Sequence, residues 1–251
     1  KDEQYSYIEA AKNKGYNVLL MDGQLDIAVV SMLEQKLEKA RFTRVDSDVI
    51  DRLIVKEDQT SSELAANEQE SLSVIFKSQL PALDKTEFHV VAQSLGENLA
   101  PVVITQSEYM RRMKEMAGMS FYGEMPDMFN LVLNADHPLL KGVLADEQKE
   151  CAAAVAPIQE EADGLKHRIG ELKKLHEGKK EEEIPVAEKD EVKELESQCE
   201  ALKARKETVW KEYAVRNKTV RQLIDLALLQ NGMLKGAALN DFVKRSLEIM
   251  K

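Results

Sequence analysis

Two apolar stripes run through the most charged part of this chain, and they restrict its fold more than any other feature. Between residues 147 and 218, 33 of 72 residues are Asp, Glu, Lys or Arg. Val155, Ile158, Ala162, Leu165, Ile169 and Leu172 nevertheless step by three and four. Val192, Leu195, Cys199, Leu202, Val209 and Tyr213 do nearly the same, with Lys206 interrupting the series. Such spacing puts each set along one side of a helix, where it needs an apolar partner. A polar stretch, residues 178–189 with Pro185, separates the sets. The pattern predicts two helices folded back as an antiparallel coiled-coil hairpin. That pairing sets Leu165 opposite Cys199 and Cys151 near Tyr213. The two cysteines are then too far apart to bridge, and each is expected to be a reduced thiol. We read residues 147–218 as this hairpin.

The flanking sequence has other periods. In residues 1–58, Tyr5, Ile8 and Ala11 recur at helical spacing up to Gly15. The run NVLLMD, residues 17–22, is continuous and apolar, as a strand covered on both faces would be. Ile27, Val30, Leu33 and Leu37 mark a second helix, and residues 42–45 a second, weaker strand. Strand, helix, strand implies a small parallel αβα layer with a right-handed crossover. Units of that kind often bind nucleotides, but no glycine-rich phosphate loop is present.

Residues 59–146 read as an α+β domain. Ser61 or Ser62 is placed to cap a helix carrying Leu72, Ile75, Phe76 and Leu80, which Pro81 stops. Residues 88–95 and 101–106 are β-rich and joined by Gly96, Glu97 and Asn98, a hairpin signal. Ser107 is placed to cap a following helix, and residues 129–134 (FNLVLN) form a third strand. Asp136 is expected to cap another helix, with Pro138 in its first turn. After the hairpin, Val220, Leu223, Ile224, Ala227 and Leu228 form one stripe. Asn231 and Gly232 break it, and Leu239, Phe242, Val243, Ile249 and Met250 form another. Two short amphipathic helices close no core alone; they need the rest of the chain or copies of themselves.

Chemistry is sparse. The four histidines are scattered without metal-ligand spacing, and no GxSxG, P-loop or HExxH motif occurs. No nucleophile–base pair stands out, so no catalytic, cofactor-binding or metal-binding residue is assigned. A net charge of −10 argues against nucleic acid as the main partner. No apolar run approaches the ~20 residues of a membrane span. The chain opens on Lys1 without an apolar leader, so we expect a soluble, cytoplasmic segment of a longer protein. Six of the ten methionines fall between 110 and 128. Tyr109, Met110, Met113 and Met116 share a helical stripe. Thioethers on flexible stems suit promiscuous binding surfaces, and equally fill irregular cores; the pattern leaves both open.

The order of these pieces resembles the heat-shock protein 90 family of chaperones, in its bacterial form. KNKGYNVLLMDGQLDIAVVSMLEQK is similar to the last α/β subdomain of that family's middle domain. APVVITQSEYMRRMKEM resembles the strand and Met-bearing helix of its C-terminal domain, and FNLVLNADHPLLKGV a strand-to-helix junction there. LIDLALLQNGML with DFVKRSLEIM resembles its last two helices. The resemblance covers residues 1–146 and 219–251. Ala135 and Gly236 depart from it, and residues 147–218 have no counterpart in the common bacterial pattern, which makes the hairpin an insertion.

The resemblance implies residues 1–58 as the end of a middle domain and 59–251 as a C-terminal dimerisation domain. It implies client binding at Tyr109, Met110, Met113 and Met116. It also implies a homodimer through Leu223, Ile224, Ala227, Leu228, Phe242, Val243 and Ile249, as a four-helix bundle. ATP and magnesium would bind the parent protein upstream of this segment, which is not itself an enzyme. The partners implied are a second copy and unfolded client proteins. Two rival readings come from the residues: a coiled-coil scaffold or adaptor acting through the hairpin, and a nucleotide-binding α/β enzyme built on residues 1–58.

Overall fold

A computed structural model describes residues 4–13, 15–21, 23, 25–40, 42–46, 64–106, 126–176 and 184–249. The fold is α+β, mostly helical, with one three-stranded sheet. The chain divides into two compact units. The first comprises Lys1–Leu64, Leu80–Leu140 and Gln222–Lys251; the second comprises Ala65–Gln79 and Lys141–Arg221.

In the first unit the strands are β1 (Thr86–Gln93), β2 (Val102–Gln106) and β3 (Asp127–Asn134), in the order β1-β3-β2. β3 runs parallel to β1 and antiparallel to β2, with Leu131 opposite Val90 on one side and Ile104 on the other. The expected hairpin between residues 88–95 and 101–106 therefore does not form. β3 takes the central place because Leu131, Val132 and Leu133 are apolar on both faces and at most 1% exposed. β1 alternates with polar residues and suits an edge.

The turn residues 96–98 build a loop instead, organised by the buried Asn134. Its Oδ1 accepts from the N–H groups of Leu95 and Asp136, and its Nδ2 donates to the carbonyls of Gly96, Leu99 and Ala100. Asp136 is not the helix cap. Its carboxylate accepts from the Ser94 hydroxyl and the Gly96 N–H. The capping role passes to His137, whose Nδ1 accepts from the Leu139 N–H at 3.1 Å.

At the start of the chain, α1 (Tyr5–Asn13) ends where Gly15 N–H reaches the Lys12 carbonyl and Tyr16 N–H the Ala11 carbonyl. The buried Tyr7 hydroxyl donates to the Ile104 carbonyl at 2.7 Å, which fixes α1 to β2. α2 (Asp26–Lys36) forms as its periodicity predicts. The two expected strands do not. Residues 17–21 and 42–45 are irregular, and Leu19 and Leu20 are 67% and 57% exposed. An apolar run supplies the wish to be buried, but a strand also needs a neighbour for its N–H and C=O groups. Among the described residues neither run pairs in a ladder, and the Phe42 N–H goes to the Glu34 carboxylate instead, so no parallel strand pair forms between residues 17–21 and 42–45.

The later helices of this unit are α6 (Lys218–Gln230) and α7 (Gly236–Ile249), of which α6 begins in the second unit. α6 stops at Asn231 and Gly232, as expected. Gly232 takes φ +65°, while its N–H reaches Leu229 and that of Met233 reaches Leu228. The left-handed backbone suits glycine there, and Gly236 opens α7 at φ +61° for the same reason.

The second unit is helical: α3 (Ala66–Gln79), most of α4 (Pro138–His176) and α5 (Val186–Arg216). The Ser61 and Ser62 caps lie outside the described residues. The Glu68 carboxylate accepts instead from the Ala65 N–H at the start of α3. Leu72, Ile75 and Phe76 are fully buried, and α3 packs on α5. Along α4 and α5 every predicted stripe position is buried or half-buried. Partners rise in number on one helix as they fall on the other: Asp146 with Tyr213, Gln159 with Lys206, Arg168 with Glu191, His176 with Glu188. The two helices thus run antiparallel. Residues 177–183, between the two helices in sequence, lie outside the described set.

Candidate interaction surfaces

Tyr109, Met110, Met113 and Met116 fall, with the rest of residues 107–125, outside the described residues. Of the methionine cluster, Met128 on β3 is described and is 40% exposed.

The helices α6 and α7 carry the other predicted surface. Leu223, Ile224, Ala227, Leu228 and Phe242 are already buried within the single chain, none more than 7% exposed. Val243 is exposed, and Ile249 ends α7 with its side chain outside the described residues. Polar contacts join the two helices: Gln222 donates to the Ser246 hydroxyl, and the Arg245 guanidinium pairs with the fully buried Asp225.

Burial therefore splits the apolar set in two. One part faces inward. The other, Leu226 and Leu229 on α6 with Val243 and Leu247 on α7, keeps 39–55% of its surface in water. Leu226, Leu229 and Leu247 were not singled out by the stripes, because they sit off the main apolar face. The signal was there: α6 is apolar beyond the width one buried face requires, with leucines at 223, 226, 228 and 229.

The second unit holds buried polar groups of its own. The Trp210 indole N–H donates to Glu147 at 2.7 Å. The Tyr213 hydroxyl lies 3.1 Å from both the Val143 carbonyl and the Asp146 carboxylate, and burial raises its pKa well above the usual phenol range. Cys151 is buried and free. Burial first, then the carboxylates of Glu147 and Glu150, push its thiol up to about 11. Among the described residues no group of His, Cys, Asp and Glu is placed to hold a metal ion. None of the described helices is long and apolar enough to cross a membrane.

No family model and no solved structure matches the chain. Curated proteins do. A chaperone protein HtpG of Bacteroides fragilis is 68% identical over 254 aligned positions, covering all of this chain and 37% of the relative. The chaperone protein HtpG of Bacteroides thetaiotaomicron is 65% identical over the same span, and that of Porphyromonas gingivalis 43%. The chain spans 37% of the length of these relatives. With 43–68% identity from end to end, the chain belongs to the HtpG proteins of the heat-shock protein 90 chaperone family.

Proposed function

We propose that this segment holds two copies of an ATP-dependent chaperone together and presents a methionine-bearing surface to unfolded polypeptide. The observation that carries the reading is the 65–68% identity, across the whole chain, to proteins named as HtpG chaperones. In this reading ATP and magnesium bind upstream of the segment, in the cytoplasm, and closure of those upstream parts acts on client held near Tyr109, Met110, Met113 and Met116. Residues 1–58 end the middle domain, and residues 59–251 form the dimerisation domain with α4 and α5 as an antiparallel coiled-coil arm.

The homodimer joins α6 and α7 of each copy. A side chain already buried has no more surface to lose. Direct contact therefore falls to Leu226, Leu229, Val243 and Leu247, with Leu223, Ile224, Ala227, Leu228 and Phe242 supporting them from beneath. Fully burying a leucine-class side chain is worth about 1.5–3 kcal/mol, and about half remains to be gained here. Eight such side chains bring roughly 8 kcal/mol, of the order of the cost of association. These positions thus form the centre of a larger interface that includes the end of α7.

Light scattering on the chain at micromolar concentration tests the reading. A dimer mass is expected. A monomer mass across a wide concentration range overturns the dimer and the role built on it.

A further inference from the structure

The second unit contains a groove of about 280 Å³ between α3, α4 and α5. Along α4 the small apolar side chains Ala152, Val155 and Ala156 form one stretch of its wall, between the polar Gln148 and Gln159. Trp210 lines it from α5, and two carboxylates line it as well, Glu68 from α3 and Glu147 from α4.

Glu147 is the unusual member. It is 6% exposed as a residue, and burial raises its pKa above the usual carboxylate range. A carboxylate has about four lone-pair sites. One receives the Trp210 indole N–H. Among the described residues no ion pair joins Glu147 to a cation, and its charged neighbour in the groove is another anion, Glu68. The nearby ammonium of Lys206 is engaged elsewhere. It lies 2.6 Å from Glu70 and 2.9 Å from Gln159, with its own charge balanced by Glu70. A buried carboxylate with one donor and an anionic neighbour is costly unless a cation joins it. Nothing in the stability of the unit requires that the cost be carried, since glutamine at 147 would keep the indole bond.

We propose that this groove binds the side chain of an arginine or lysine of a bound polypeptide. The cationic head sits against Glu147 and Glu68, and the methylene stem lies along Ala152, Val155 and Ala156 beside Trp210. The size agrees: sites for drug-sized molecules enclose about 300–1,000 Å³, so this one takes a single long side chain rather than a nucleotide. The charge agrees, because two carboxylates face one apolar slot and a basic side chain offers both a stem and a head. The proposal goes beyond the dimer and methionine reading and stands without it.

The chain has a single tryptophan, Trp210, so its fluorescence reports on this groove directly. The 251-residue chain is titrated with an acetylated, amidated Ala-Arg-Ala tripeptide, with the Ala-Gln-Ala equivalent, and with N-butylguanidinium. A saturable change with the arginine peptide is expected, weakening as salt is added because the site opens to solvent. Ala-Gln-Ala should give none. Glu147→Gln should weaken binding about ten-fold, the loss of one interaction worth roughly 1.4 kcal/mol. Far-UV circular dichroism checks that this variant folds. If it does not, Glu68→Gln takes its place, with the same weakening expected. No saturable change with the arginine peptide, equal response to both peptides, or undiminished binding in the glutamate variants overturns the proposal. Binding of N-butylguanidinium as tight as that of the arginine peptide assigns the groove to small free cations and overturns the polypeptide reading.

Discussion

The ammonium of Lys206 lies 2.6 Å from the carboxylate of Glu70, 136 residues earlier in the chain, and 5.0 Å from the centre of the Trp210 ring. The one residue that interrupts the apolar stripe of α5 is thus the residue that ties α5 to α3. A lone lysine at 9% side-chain exposure would be expensive; paired with Glu70 and Gln159 over an aromatic face, it is satisfied.

Lys206→Ala should therefore destabilise the second unit. A fully buried pair loses about 3–5 kcal/mol when one partner goes. Glu70 keeps about a third of its surface in water, so we expect roughly 1–3 kcal/mol here. Lys206→Met keeps the stem and should cost less than Lys206→Ala. Urea unfolding followed by Trp210 fluorescence measures both; an unchanged midpoint for Lys206→Ala would show that the pair contributes nothing.

Two substitutions on α6 should separate fold from assembly. Leu228 is 0% exposed and Leu226 45% exposed. Leu228→Glu buries a charge without a partner and should unfold the first unit. Leu226→Glu, or Leu247→Glu on α7, should leave the melting profile within about 0.5 kcal/mol of wild type and abolish the dimer. Circular dichroism with light scattering reads both effects. Folded monomers from Leu228→Glu would assign that residue to the interface instead.

The arm should tolerate shortening but not removal. Replacing residues 164–200 by a short Gly/Ser bridge keeps Glu147, Gln159, Lys206 and Trp210, and the α3 core with them. That variant should fold with native Trp210 emission. Deleting residues 148–216 strips α5 from Leu72, Ile75 and Phe76, each worth about 1.5–3 kcal/mol of burial, and should melt α3. A full deletion that melts like wild type would show that α3 does not depend on the arm.

Cys151 should react slowly. A thiol raised to about 11 holds roughly a hundredth of the thiolate of an ordinary cysteine at pH 8, because thiolate falls ten-fold per unit. Its burial adds to this. Iodoacetamide at pH 8 should label the half-buried Cys199 first, and labelling of Cys151 should keep rising as pH approaches 10. Peptide mass mapping against time checks it; equal rates at pH 8 would contradict the burial of Cys151.

Much of this fold is written in short-range pattern. The stripes of α4 and α5, the stop at Asn231 and Gly232, and the third strand are all legible, because a helix or strand period needs only the residues within it. The family was legible too, from four pieces of sequence in order. Of the candidate site, the apolar stripes of α6 and α7 were legible, and the methionine stripe lies outside the described residues.

What periodicity does not fix is which neighbour an element chooses. β1 and β2 read as a hairpin from the turn between them, yet β3 parts them, since only a central strand hides both faces of Leu131, Val132 and Leu133. Residues 17–22 read as a buried strand, but the apolar run had no ladder partner among the described residues. The stripes of α6 and α7 were visible as apolar, but not that Leu228 turns inward while Leu226 turns out. Glu70, Glu147 and the Lys206–Trp210 turn of α5 are far apart in sequence and carry no mutual signal there. The chain by itself determined its helices, its breaks and its kinship. Tertiary packing decided strand order, burial and polar pairing, because those depend on contacts between residues tens to more than a hundred positions apart.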